Sequence, residues 1–193
     1  MSKLFVDEIV HQSSQGSGTI TIGASGEKIN LGTGVSGGSL TNTPAFFAYL
    51  GSDQTVSDLT TTKVQIDTEV FDTHNAFDTS TYRFTCPTGG AGKYVITGAL
   101  ASYGSEKYYM TQVAIYKNGA EYHGGMQNNP FSDPSYGTGG IVNSIVELAV
   151  NDYVELYGIS DTSDGTSGTF ENGASIQLGD KLSYLRGYRL IGA

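Results

Sequence analysis

Along most of this chain, apolar and polar side chains trade places every second residue. In residues 82–86, Tyr82, Phe84 and Cys86 alternate with Arg83 and Thr85. A period of two puts the two sets on opposite faces of an extended strand. Comparable stretches over residues 46–50, 63–66, 69–71, 94–100, 109–117, 141–150, 153–159 and 184–190 predict further strands. Pro87 ends the strand before it because proline cannot donate to a ladder, and Gly89, Gly90 and Gly92 reverse the chain. No segment sustains the 3.6-residue apolar period of a helix, so the expected class is all-β. About eight short strands shield their edges best as two packed sheets, which predicts a jelly-roll β-sandwich.

Residues 1–40 follow another rule. Leu4, Val6 and Ile9 punctuate an opening extended segment, and residues 17–23 and 25–32 form an imperfect repeat. Each copy is Ser-Gly, a spacer, two apolar residues flanking a polar one, then Gly, so Ile20 and Ile22 correspond to Ile29 and Leu31. One copy cannot bury its apolar face alone and has to stack on its neighbour or on copies from other chains. Gly34, Gly37 and Gly38 then read as a flexible neck. The expected organisation is an N-terminal β-repeat stem over residues 1–40 and a head over residues 41–193. The uncovered stem face calls for a symmetric partner, and a homotrimer is the expected state.

Composition narrows the function classes. Glycine, at 27 of 193 residues, is about twice its ordinary share and suits many turns. A net charge of -9 and a pI near 4.6 speak against binding nucleic acid or an anionic membrane surface. The longest apolar run, residues 45–50, is far too short for membrane insertion. The opening Leu4-Phe5-Val6, followed at once by Asp7 and Glu8, is too short for a secretion signal. Cys86 is the sole cysteine, so no internal disulfide forms, which is consistent with assembly in a reducing cytosol. On its alternating strand it reads as a buried structural thiol. His11, His74 and His123 are scattered without zinc-site spacing, and His74 reads as a turn residue. No nucleophile elbow, Walker loop or dinucleotide fingerprint occurs, so neither an enzyme nor a cofactor is expected.

Five blocks in order carry a family resemblance. They are Asn75-Ala76-Phe77-Asp78, then Phe84-Thr85-Cys86-Pro87 with Gly92-Lys93-Tyr94-Val95-Ile96, and Ile115-Tyr116-Lys117-Asn118-Gly119. Asp152-Tyr153-Val154-Glu155-Leu156 and the closing run from Leu185 to Ile191 complete them. This order resembles the globular head of complement subcomponent one-q and the tumour-necrosis-factor-like jelly rolls. The resemblance implies a trimeric head with buried aromatics at its axis, where Tyr109 and Tyr116 are expected to pack. The chain departs from the pattern in a longer turn after Pro87, and in Arg186 and Arg189, where small or apolar residues are commoner. The opening Leu-x-Val-Asp-x-Ile resembles the start of marine-bacteriophage fibre and spike proteins.

Together these resemblances imply a non-enzymatic bacteriophage virion protein, assembled in the host cytoplasm, as a fibre, spike or capsid-surface decoration. Residues 1–40 would dock on other virion proteins, and the head would contact a host-surface glycan or protein. The alternative is a soluble bacterial carbohydrate-binding or adhesion module. Residues 124–140 read as a long polar loop, where Tyr136, Asn128, Asn129 and Asp133, with Tyr122 nearby, have the stacking and hydrogen-bonding groups to meet such a receptor. Asp161, Asp164 and Glu171 lie in an oxygen-rich stretch that is a candidate for calcium. EF-hand spacing is absent there, and a solvated loop is the expectation.

Overall fold

The computed structural model describes residues 42–130, 132–173 and 181–190. The stem residues Leu4, Val6, Ile9, Ile20, Ile22, Ile29 and Leu31 lie outside them. All elements among the described residues are strands: β1 (Ala45–Tyr49), β2 (Gln54–Val56), β3 (Thr62–Lys63), β4 (Thr68–Asp72), β5 (Phe77–Asp78), β6 (Arg83–Thr85), β7 (Gly92–Lys117), β8 (Ala120–Asn128), β9 (Ser135–Leu148), β10 (Tyr153–Thr162), β11 (Gly168–Phe170) and β12 (Tyr184–Arg189).

Every pairing is antiparallel, and β7 belongs to both layers of the sandwich. Its first part pairs with β12 and β9, so the first sheet runs β4-β1-β12-β7-β9. Its last part pairs with β10 and β8, so the second sheet runs β5-β6-β10-β7-β8. The short strand β3 adds to β10, and β11 ties β2 to β7 at Ser102. Two strands expected over residues 94–100 and 109–117 are therefore one long strand that passes between sheets.

The alternation read from the sequence sorts side chains as strands require. Phe46, Ala48 and Leu50 point inward, with Tyr94, Ile96 and Leu100 beside them, and Ile115, Leu156 and Leu185 complete the centre of the core. Phe77, Phe46 and Phe84 form a run of stacked rings with centroid separations of 5.5 and 4.4 Å. The turn before β5 is built by Asp72, whose carboxylate accepts hydrogen bonds from the backbone amides of His74, Ala76 and Phe77. Asn75 takes the positive φ that this reversal needs. Cys86 is fully buried, and burial pushes its thiol pKa up, away from a reactive thiolate.

The long loop expected over residues 124–140 is not a loop. Most of it lies in β8 and β9, and only residues 129–134 connect them. The glycines there serve close packing between sheets. A side-chain carbon at Gly125 would lie 3.2 Å from the Ile141 carbonyl oxygen, and one at Gly140 would lie 3.1 Å from Val113. Local composition resembled a turn because tertiary contact demanded residues without side chains.

Candidate functional site

The outer face of the first sheet is built by residues that alternate with the core. Strand register arranges them in rows. Ala45, Tyr188, Val95 and Ile145 form one row; Phe47, Arg186, Thr97 and Asn143 form the next; Tyr49, Tyr184, Ala99 and Ile141 form the third. Phe71 stands opposite Phe47 at the β4 edge. Ile141 is 68% exposed and Ile145 58%, while Phe71 and Tyr188 are nearly half exposed. Side chains this open leave apolar surface of the sheet face in contact with water.

Contacts within the face hold its shape. Phe47 meets Tyr184 edge-on at 5.6 Å, and the Arg186 guanidinium lies 5.0 Å from the Tyr184 ring. The Lys181 ammonium sits 4.8 Å from the Tyr49 ring, and Thr97 and Asn143 approach at 3.5 Å. Two depressions flank β12. One, of about 510 Å³, lies among Phe47, Phe71, Val95, Arg186 and Tyr188. The other, of about 650 Å³, lies among Ala99, Met126, Ile141, Lys181 and Tyr184. The arrangement offers apolar surface with one cation at its middle row, and it presents no nucleophile beside a base.

This face was not among the candidates read from the sequence, although a signal for it exists. Ile141-Val142, Ile145-Val146 and Val95-Ile96 are apolar in both phases of their strands. A strand apolar on both faces is covered on both faces.

The receptor candidates fall in two places. Asn128 ends β8, the Asn129 amide donates to the Tyr109 carbonyl at 2.7 Å, and Asn129 Nδ2 donates to the Tyr108 carbonyl at 2.8 Å. Asp133 closes the 129–134 turn by donating its amide to the Pro130 carbonyl. Tyr136 follows on β9, 53% exposed, with the Lys107 ammonium 5.4 Å from its ring. These four residues share one end of the sandwich, called the tip below. Tyr122 lies toward the other end of β8, where its hydroxyl donates to the Ile145 carbonyl at 3.1 Å, beside the apolar face.

Tyr116, expected at a trimer axis, stacks on Tyr157 at 4.0 Å on the outer face of the second sheet, away from the apolar face. Burial raises the pKa of both phenols, with Glu121 acting further on Tyr116 and Glu155 on Tyr157.

The calcium candidates have separate occupations. Asp161 is on β10, with its pKa raised by burial and by the charge of Asp58. Asp164 accepts the amide and hydroxyl of Thr166 in an exposed turn, and Glu171 is buried and accepts the Gly173 amide. Among the described residues, no group of three or more His, Cys, Asp or Glu side chains is placed to hold a metal ion.

No family model matches the chain, and no curated protein matches it. Solved structures do. The globular domain of zebrafish complement 1qA protein is 13% identical, with a TM-score of 0.52 over 77% of this chain and 98% of that one. Murine APRIL crystallised at pH 5.0 is 8% identical, with a TM-score of 0.53 over 76% of this chain and 98% of that one. Murine APRIL at pH 8.0 gives 9% identity and a TM-score of 0.52 over the same shares. Two sheets, a shared long strand and these likenesses lead to one conclusion about architecture: the head is a jelly roll similar to those of complement one-q and the tumour-necrosis-factor-like proteins.

Proposed function

We propose that this chain is a non-enzymatic structural protein of a bacteriophage virion, a fibre, spike or capsid-surface decoration whose head assembles as a homotrimer. Residues 1–40 anchor it to other virion proteins, and the tip around Tyr136 contacts a host-surface glycan or protein. The observation that carries the self-association is the outer face of the first sheet. Ile145 and Tyr188 on one side of the Arg186–Thr97–Asn143 row, and Ile141 and Tyr184 on the other, with Phe47 and Phe71 at the β4 edge, leave apolar area that water covers at a cost on the order of 25 cal/mol per Å². A second copy of the same chain removes that cost at every interface of a closed ring. The virion role is supported by the stem repeat and by the opening Leu4-x-Val6-Asp7-x-Ile9.

Two experiments test this reading. Light scattering of the full chain at micromolar concentration is expected to give three times the 20.4 kDa chain mass, and a monomer would end the trimer reading. Mass spectrometry of purified virions is expected to detect the chain. A second reading, a soluble bacterial carbohydrate-binding or adhesion module, draws on the same exposed Tyr136 and Lys107 pair. It gains if the protein binds glycans and is absent from particles.

A further inference from the structure

Four buried hydroxyls lie in one layer of the sandwich near its tip, beside Gly168 and Phe170 of β11. Ser102 on β7 stands opposite Thr138 on β9 in the first sheet, and Thr111 on β7 stands opposite Ser160 on β10 in the second. The neighbouring layer fixes how the two pairs face each other. There Leu100 pairs with Gly140, and Val113 pairs with Gly158. A side-chain carbon at Gly158 would lie 2.1 Å from Leu100, and one at Gly140 would lie 3.1 Å from Val113, so these pairs meet across the core. Two residues further along each strand, the same faces carry Ser102 with Thr138 and Thr111 with Ser160. All four are 0–8% exposed. Leu100 borders the layer on the core side and the buried Tyr108 on the tip side, and Phe170 of β11 stands opposite Ser102.

None of the four hydroxyl oxygens has a hydrogen-bond partner among the described residues. Their neighbours do. Ser183 donates to the Glu171 carbonyl at 2.7 Å and accepts the Ala101 amide at 3.1 Å, and Thr162 donates to the Thr166 carbonyl at 2.7 Å. Buried hydroxyls in folded cores are almost always paired, so four orphans in a single layer call for a partner beyond the described side chains. Serine and threonine side chains are too short to span the roughly 10 Å between packed sheets, and facing hydroxyls stop short of one another. A set that is neutral, both donor and acceptor, and without a charged group selects water over a cation or an anion.

We propose that the Ser102–Thr111–Thr138–Ser160 layer is an internal water site, in which at least one ordered water molecule bridges hydroxyls of the two sheets. The strands leading to the tip are then tied to the core by hydrogen bonds through water where the layers below are tied by apolar contact.

Two measurements test it. A high-resolution crystal structure of the full chain is expected to place a water within about 3 Å of at least two of these oxygens. A dry layer, or hydroxyls bonded directly to one another, overturns the proposal. Separately, the near-isosteric Thr111→Val and the smaller Ser160→Ala are each expected to lower Tm by about 2–4 °C, because each removes a partner from bound water. An unchanged or raised Tm overturns the proposal, since deleting an orphan hydroxyl relieves its desolvation penalty. Should either variant fail to fold, the crystal structure of the unaltered chain decides.

Discussion

Asp152 illustrates how single side chains set the turns of this head. It accepts hydrogen bonds from the Asn118 side chain and the Ala149 amide and pairs with Lys117 at 3.0 Å, which together hold its pKa near 2 against an ordinary 3.8. The folded value lies below the unfolded one, so its contribution is present above about pH 4 and is lost as the pH falls toward 2. Asp152→Asn is expected to lower Tm by about 2 °C at pH 7 and by clearly less near pH 2, a modest effect because the pair is solvated. Thermal melts across that range check it. Tyr136 is the contrasting case, since its ring is mostly in water and contributes little to the core. Tyr136→Ala is expected to weaken adsorption to host cells while shifting Tm by less than about 1 °C. A drop of several degrees would mean the ring is packed in the assembly, and unchanged adsorption would move the contact elsewhere.

Among the elements, β7 does most to define the architecture, because it pairs with four other long strands and feeds both sheets. Where the two sheets approach closely beside it, the facing strands carry Gly140 and Gly158. At Gly158 on β10, an added methyl would lie 2.1 Å from Leu100, 3.0 Å from Phe170 and 3.1 Å from the Gln112 carbonyl. Gly158→Ala is therefore expected to destabilise the head by about 1–3 kcal/mol through overpacking. A denaturant midpoint that falls with an unchanged slope is the expected record. A neutral result would mean the two sheets can move apart at this layer.

At the scale of the whole molecule, the proposed homotrimer rests on the exposed apolar residues of the first sheet's outer face. Ile145 stands in the same row as Tyr188 and Val95 and is mostly exposed in a single chain. If the proposed trimer closes through this face, Ile145→Asp is expected to give a monomer by light scattering. A solvated aspartate costs a single chain little, so the far-ultraviolet β signal is expected to persist. A variant that stays trimeric would place the interface on another surface.

The pattern along the chain was enough to predict an all-β head. The alternation from Tyr82 to Cys86 marked the strand now seen over Arg83–Thr85, and the strand near 153–159 appears as Tyr153–Thr162. The strands were legible because alternation and turn residues are local properties that a sequence carries openly, and the five ordered blocks pointed to a jelly roll through the family they resemble. Three features depended on the fold. Residues 124–140 became paired strands because Gly125 and Gly140 answer to atoms on another sheet. Tyr122 separated from Tyr136 because β8 extends the chain between them. Ile141 and Ile145 became a surface beside Tyr184 and Tyr188 only through pairing with β7. Each of these is a contact between residues distant in the chain, and a period of two records which face a side chain takes, not what stands opposite it.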